Sequence, residues 1–153
     1  MVVGQNPGHD EVIQGTPFVG ASGHFFDTAL MDVLGIDRSL LYISNAVRCF
    51  TPGNRRPYQE EADNCRDFLD REVAILNPVV IVTLGGPAFK QVTGMSGIMK
   101  HHGQIRFSPR YRVPVLPLLH PSPYNTNSEE GRKMFYDDLE HLREFLNAGP
   151  GQV

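Results

Sequence analysis

The sequence predicts an α/β fold of three layers, α/β/α, around a mainly parallel central sheet. Three observations carry this. Val79 to Leu84 is a continuous, largely β-branched run bounded by Pro78 and Gly85-Gly86, as in a strand buried on both faces. Segments of helical period separate that run from other short apolar segments, so strands and helices alternate. A chain of 153 residues with 41% hydrophobic and 20% charged residues suits one ordinary globular domain and excludes a disordered chain.

Residues 1–4 read as a short buried strand running into Gly4-Gln5-Asn6-Pro7-Gly8. Residues 9–21, punctuated by Gly and Pro, read as a loop. Phe25, Phe26, Ala29, Leu30, Val33 and Leu34 recur at helical spacing and predict a helix over 22–34, with Ser22 as N-cap and Gly35 as its stop. Leu40 to Val47 reads as a strand. A helix over 59–76 is expected to turn Ala62, Cys65, Leu69, Val73 and Leu76 inward. A short helix over 87–93 should follow the central strand, then strands over 104–107 and 113–119, the second weakened by Pro114 and Pro117. The last helix is expected from Glu129 to Leu146, with Phe135, Leu139, Leu142 and Leu146 inward. The expected organisation is one domain over 1–147 and a disordered tail over 148–153.

No apolar run approaches the roughly 20 residues of a membrane span, and the first four residues make no signal peptide. An intracellular, cytoplasmic protein without a membrane partner is expected. The net charge of −3 hides a segregation. No acid occurs from Val73 to Ser128 or from Arg38 to Tyr58, and the acids gather in 59–72 and 129–144. That pattern predicts a basic face suited to an anionic partner, or simply helices with solvated acidic faces. Cys49 and Cys65 are too few for a disulfide scaffold and read as thiols or metal ligands.

In open parallel sheets ligands bind beyond the carboxyl ends of the strands. Three strands here end in polar or glycine-rich segments: Gly4–Gly8, Asn45–Cys49 and His120–Ser122. Each has a plain structural reading as well. Gly4–Gly8 also reads as a tight turn, Asn6 as a turn asparagine, Asn45 as a strand-end cap, Phe18 as core and His120 as a surface histidine. A phosphate-cradling nucleotide module is disfavoured, because the glycine spacing fits neither the dinucleotide nor the P-loop pattern.

In this order the segments resemble the uracil-DNA glycosylase superfamily over nearly the whole chain. They are Gly4-Gln5-Asn6-Pro7-Gly8, Gly15-Thr16-Pro17-Phe18-Val19-Gly20, Tyr42-Ile43-Ser44-Asn45-Ala46-Val47-Arg48-Cys49, Pro52-Gly53-Asn54-Arg55-Arg56-Pro57, Leu84-Gly85-Gly86-Pro87-Ala88 and His120-Pro121-Ser122. The Pro-Phe-Val-Gly and Asn-Arg-x-Pro segments and the sixteen-residue step from Cys49 to Cys65 resemble the family 4, iron–sulfur branch. The resemblance implies the glycosylase fold and monofunctional excision of uracil from DNA by hydrolysis of the N-glycosidic bond, in base excision repair, by a monomer. It implies His120 and Asn6 as catalytic residues, and Phe18, Asn45, Gln5, Gly4 and Ser122 around the base. It also implies a 4Fe–4S cluster with Cys49 and Cys65 among its ligands.

Two departures qualify this. The family 4 first motif usually reads Gly-Glu-Ala-Pro-Gly, and this chain carries Gln5 and Asn6 instead. The family's other two cluster ligands come from a Cys-x-x-Cys ahead of that motif. The cluster is therefore expected in a longer parent protein, not on this chain alone, where two thiolates are a poor cage for four irons and both cysteines also read as small buried residues. The alternative is a member, or an N-terminally shortened form, with altered base specificity or DNA binding without turnover. In the aspartate-bearing branch a tyrosine near position 8 blocks the thymine methyl; Gly8 predicts open space there and a range reaching mismatched thymine or deaminated purines.

Overall fold

Five strands, β1 (Val2–Gly4), β2 (Ile43–Asn45), β3 (Ile81–Leu84), β4 (Arg106–Ser108) and β5 (Val113–Leu118), form one sheet in the order β2-β1-β3-β5-β4. Only the edge strand β4 runs antiparallel, against β5. The computed structural model describes residues 1–149. Parallel neighbours need crossovers, and helices supply them. Between β1 and β2 lie α1 (His9–Gln14) and α2 (Ala21–Leu34); between β2 and β3 lie α3 (Gln59–Asn64) and α4 (Arg66–Leu76). After β3 comes α5 (Gly86–Thr93), and after β5 come α6 (Pro123–Thr126) and α7 (Glu129–Ala148).

The alternation of side chains along each strand makes the three layers. Val2, Val82, Leu84, Leu116 and Leu118 face one side, against Phe26 and Leu30 of α2 and Phe135 and Leu139 of α7. Val3, Ile81, Val113 and Val115 face the other, against Leu69 and Val73 of α4 and Ala88 and Val92 of α5. Every residue of β3 is buried, as its unbroken apolar run predicts.

Several expected elements differ. Within the stretch read as a loop, His9–Gln14 form a helical turn and a half, closed by Gly15 in the left-handed conformation (φ 66°). It buries no residue, so it leaves no apolar period to read. The α2 N-cap is Gly20, not Ser22, with no side-chain cap of its own. The Glu11 carboxylate instead accepts from the Val19 and Gly20 amides, both at 3.2 Å. Gly35 ends α2 as expected (φ 64°). The strand over 40–47 contracts to Ile43–Asn45, because Arg38–Leu40 turn in a 3₁₀ loop capped by Asp37. The helix over 59–76 breaks at Cys65, whose amide is shared between the Glu61 and Ala62 carbonyls. In α7 the inward face passes to Phe145, leaving Leu146 exposed. That helix runs through Ala148; of the expected tail, 150–153 lie outside the described residues.

The segregated charges recombine in the fold. Arg38 pairs with Asp27, Arg48 with Glu72, Arg55 with Glu61 and Arg110 with Asp70. Carboxylates thus neutralise four cations of the basic stretches, while Arg56, Lys90, Lys100, Arg106 and Arg112 form no ion pair among the described residues.

Helix α2 lies so close to the preceding loop that a Cβ on Gly23 would overlap the Phe18 carbonyl oxygen. Gly23→Ala is expected to cost about 1–3 kcal/mol, the range of an overpacked interior. Urea denaturation checks this; unchanged stability would mean that the contact yields.

Candidate active site

The carboxyl ends of β1, β2 and β5 open onto one cavity of about 500 Å³, with the end of β3 between those of β1 and β5. Backbone bonds beyond the strands fix its floor. Ala46 donates to the Gly4 carbonyl and Val47 to that of Gln5, each at 2.8 Å, so β1 and β2 stay in register past their last paired residues. On the other side Gly85 donates to the Leu118 carbonyl at 2.9 Å. The loops after all four strands thus leave the sheet at one level, with Gln5, Asn6, Asn45, His120 and Ser122 among the cavity walls.

Phe18 enters from the loop before α2. The residue is 8% exposed, and its ring packs on Phe26 and lies 6.4 Å from the His120 ring at an interplanar angle of 29°. It joins the core on one side and shows the cavity its remaining surface. Its backbone is left-handed (φ 54°), a conformation that costs a residue with a Cβ on the order of 1 kcal/mol. Asn45 holds a buried side-chain oxygen with no hydrogen-bond partner. Gly4 stands behind both: a Cβ there would lie 2.6 Å from Asn45 Oδ1 and 2.6 Å from the Phe18 ring. Only glycine lets the two side chains meet over the strand end. Gly85 does the same for Gln5, since a Cβ there would lie 2.7 Å from Gln5 Oε1.

Asn6 donates from Nδ2 to the Thr51 hydroxyl at 3.3 Å and to the Pro7 carbonyl at 3.2 Å. Both bonds engage the nitrogen, which leaves the carbonyl oxygen as the group offered to the cavity. His120 is anchored through its backbone, whose carbonyl accepts from Asn125 Nδ2 at 2.7 Å. Burial lowers the His120 pKa below its usual 6.5, against a smaller upward pull from Glu11, so at neutral pH the imidazole is uncharged. Ser122 caps α6, taking the Asn125 and Thr126 amides on its carbonyl and keeping its hydroxyl for the cavity.

Several lining or supporting residues had no separate part in the sequence reading. Glu11 and Asn54 line the cavity, and Thr51 holds Asn6 from behind. Nothing in their spacing marks Glu11 or Thr51; Asn54 lies in a quoted segment and takes a left-handed conformation (φ 54°). Gly8 lines the cavity, and its Cβ direction points at the Glu11 carboxylate, with Oε2 2.5 Å from where a Cβ would lie. Arg55 and Arg56 differ in their partners. Arg55 makes a two-point ion pair with Glu61, at 2.7 and 2.9 Å, and lies over the Tyr58 ring. The Arg55 hydrogen bonds and the Tyr58 amide hold the Glu61 carboxyl down at about 2. Arg56 has no such carboxylate and faces the cavity beside Gly86.

Cys49 is an exposed thiol and Cys65 a partly buried one at the α3–α4 break. Among the described residues no three Cys, His, Asp or Glu side chains gather as a metal site. Two thiolates leave half of a four-iron cluster unliganded, so these residues by themselves do not fit that group. Among the described residues no helix is long and apolar enough to cross a membrane.

Comparison with known proteins shows the family. The profile of the Uracil DNA glycosylase superfamily matches residues 1–147, and the chain belongs to that family. It is 35% identical over 154 residues to a Type-4 uracil-DNA glycosylase of Sulfurisphaera tokodaii, covering 94% of this chain and 68% of the relative. It is 36% identical over 148 residues to the Type-4 uracil-DNA glycosylase of Thermotoga maritima, covering 94% and 76%. A Type-4 uracil-DNA glycosylase of Saccharolobus solfataricus is 32% identical over 157 residues, covering 98% and 72%.

The His120 shift has a sign in stability. Between its lowered folded pKa and 6.5 the unfolded chain binds more protons than the folded one, so stability falls as pH drops across that window and is level above it. His120→Asn is expected to remove this part of the slope. Urea titrations at steps from about pH 5 to 7 measure it, and an unchanged slope would place the imidazole in a solvated setting.

Proposed function

We propose that the chain is a monofunctional uracil-DNA glycosylase that hydrolyses the N-glycosidic bond of deoxyuridine in DNA and leaves an abasic site. The observation that carries this is the buried, unpartnered Asn45 oxygen, beside the Phe18 ring and a neutral His120 at one cavity. An acceptor without a donor is costly unless a ligand supplies one. Uracil does so with N3–H, while the Asn45 amide nitrogen donates to O4. Cytosine has an acceptor at N3 and a donor at position 4, so it leaves both unpaired and is rejected by about four orders of magnitude.

The reaction requires the nucleotide to leave the stack, at a few kcal/mol. Stacking on Phe18 returns about 1–3 kcal/mol. The base departs as an anion with charge on O2, and a neutral imidazole N–H from His120 stabilises that charge without itself being titrated. The Gln5 backbone amide and the Ser122 hydroxyl add polar contacts around the base. Asn6, an amide, has no basicity to offer. Held by Thr51, it steadies water through its carbonyl oxygen. Bond breaking therefore runs ahead of water attack, with leaving-group stabilisation dominant. No lysine lines the cavity, so no amine is at hand for a Schiff base and the enzyme stops at the abasic site. Cys49 and Cys65 offer two thiolates to a cluster completed by ligands from outside these residues, and no step of the reaction runs through it.

The Glu11 carboxylate beside Gly8 sets the base range. A thymine methyl directed at that side meets a carboxylate, which favours uracil. Matched oligonucleotides carrying uracil, mismatched thymine or hypoxanthine test this: excision of uracil alone is expected, and comparable release of thymine would overturn it. For the mechanism, single-turnover excision should fall by about 10²–10³ in His120→Ala, the scale of losing a donor to a developing anion. Asn6→Ala should cost about tenfold, in line with a contribution smaller than general acid–base catalysis. Equal or reversed losses would reject these roles.

A further inference from the structure

Arg38 carries no motif, yet its guanidinium grips the loop that presents Phe18. Nη2 donates to the Pro17 carbonyl and Nη1 to the Phe18 carbonyl, both at 2.7 Å. Nη1 also meets Asp27 Oδ2 at 3.1 Å, a partner on α2. The Pro17 carbonyl belongs to the peptide before Phe18 and the Phe18 carbonyl to the peptide after it. One planar fork therefore orients both peptides and pins φ and ψ of the residue between them. That residue has the left-handed backbone which a side chain disfavours. Glu11 holds the Val19 and Gly20 amides just beyond, so carbonyls and amides of the segment are fixed from two directions.

Arg38 is also spoken for. Its side chain is 26% exposed, and its two terminal nitrogens point at three protein oxygens. A guanidinium so committed is poorly placed to take a DNA phosphate, although its stretch of sequence is rich in arginine.

The geometry points to Arg38 as a positioning residue that holds the Phe18 ring at the angle needed to stack on the extruded base. This rests on the glycosylase reading above. Stacking holds the flipped base before and during bond cleavage alike, so its loss belongs in substrate binding more than in the chemical step. A lysine keeps the charge and the Asp27 pair but lacks the fork, and a methionine lacks both.

The test compares wild type, Arg38→Lys and Arg38→Met on a single-stranded uracil oligonucleotide, with inhibition by free uracil, affinity for an abasic oligonucleotide and thermal midpoint recorded for each. Arg38→Met is expected to raise KM and the free-uracil inhibition constant about tenfold, with kcat within about twofold and abasic affinity unchanged; a tenfold change corresponds to about 1.4 kcal/mol. Arg38→Lys should fall between. A merely structural role would lower the thermal midpoint and active fraction and leave both constants alone, which overturns the proposal. Equal weakening toward the abasic oligonucleotide overturns it too, by revealing a phosphate contact. Should the methionine variant not fold, the lysine variant decides by the same constants. Wild-type protein that neither excises uracil nor binds it would defeat the glycosylase reading itself, a result distinct from any ordering of the variants.

Discussion

The site depends on one alignment: β1 lies between β2 and β3, parallel to both, and its hydrogen bonding continues past its last residue. Three residues make a weak strand alone. Here both edges are occupied, and the Gly4 and Gln5 carbonyls take the Ala46 and Val47 amides. That ladder sets Asn45 opposite Gly4 and so beside the start of the Gln5-Asn6 segment, though the two segments are some forty residues apart in sequence. A shift by one residue would turn Asn45 to the opposite face of the sheet. The register that builds the core thus also builds the cavity, and the apolar residues of β1 and β3 act on the chemistry without touching a ligand.

Glycine is the second means by which the fold serves the site. Gly4 and Gly85 are not flexible joints but missing side chains, each leaving room for a polar group that must lie over a strand end. A buried acceptor and an aromatic ring share the gap at Gly4. The arrangement tolerates an unpaired, buried Asn45 oxygen, a cost borne by the two-sided core beneath it.

The parts of this molecule legible in sequence are those with a period or a motif. The β3 run, α2 with its glycine stop, α5 and most of α7 all follow from apolar spacing, and the convergence of Gly4–Gly8, Asn45 and His120 follows from the strand-end rule. Elements without a buried face escaped. His9–Gln14 buries nothing and is held by a left-handed glycine and by Glu11 reaching across to another loop, neither of which leaves a local pattern. Thr51 and Arg38 act through backbone carbonyls or one neighbouring amide, contacts that only the folded chain creates. The helix over 59–76 failed at a single residue, because apolar spacing passes through Cys65 while the backbone does not. The fold also modifies the charge segregation: Arg48 meets Glu72 and Arg110 meets Asp70, pairs that a linear count does not see.

That recombination of charge bears on how such an enzyme searches. A protein neutralising many phosphates expels many counterions, and its grip collapses steeply as salt rises. Here Arg38, Arg48, Arg55 and Arg110 already answer to carboxylates of their own chain, and the whole carries a charge of −3. Those four side chains are committed within the chain, so they add little to the steepness with which strand contact weakens as salt rises.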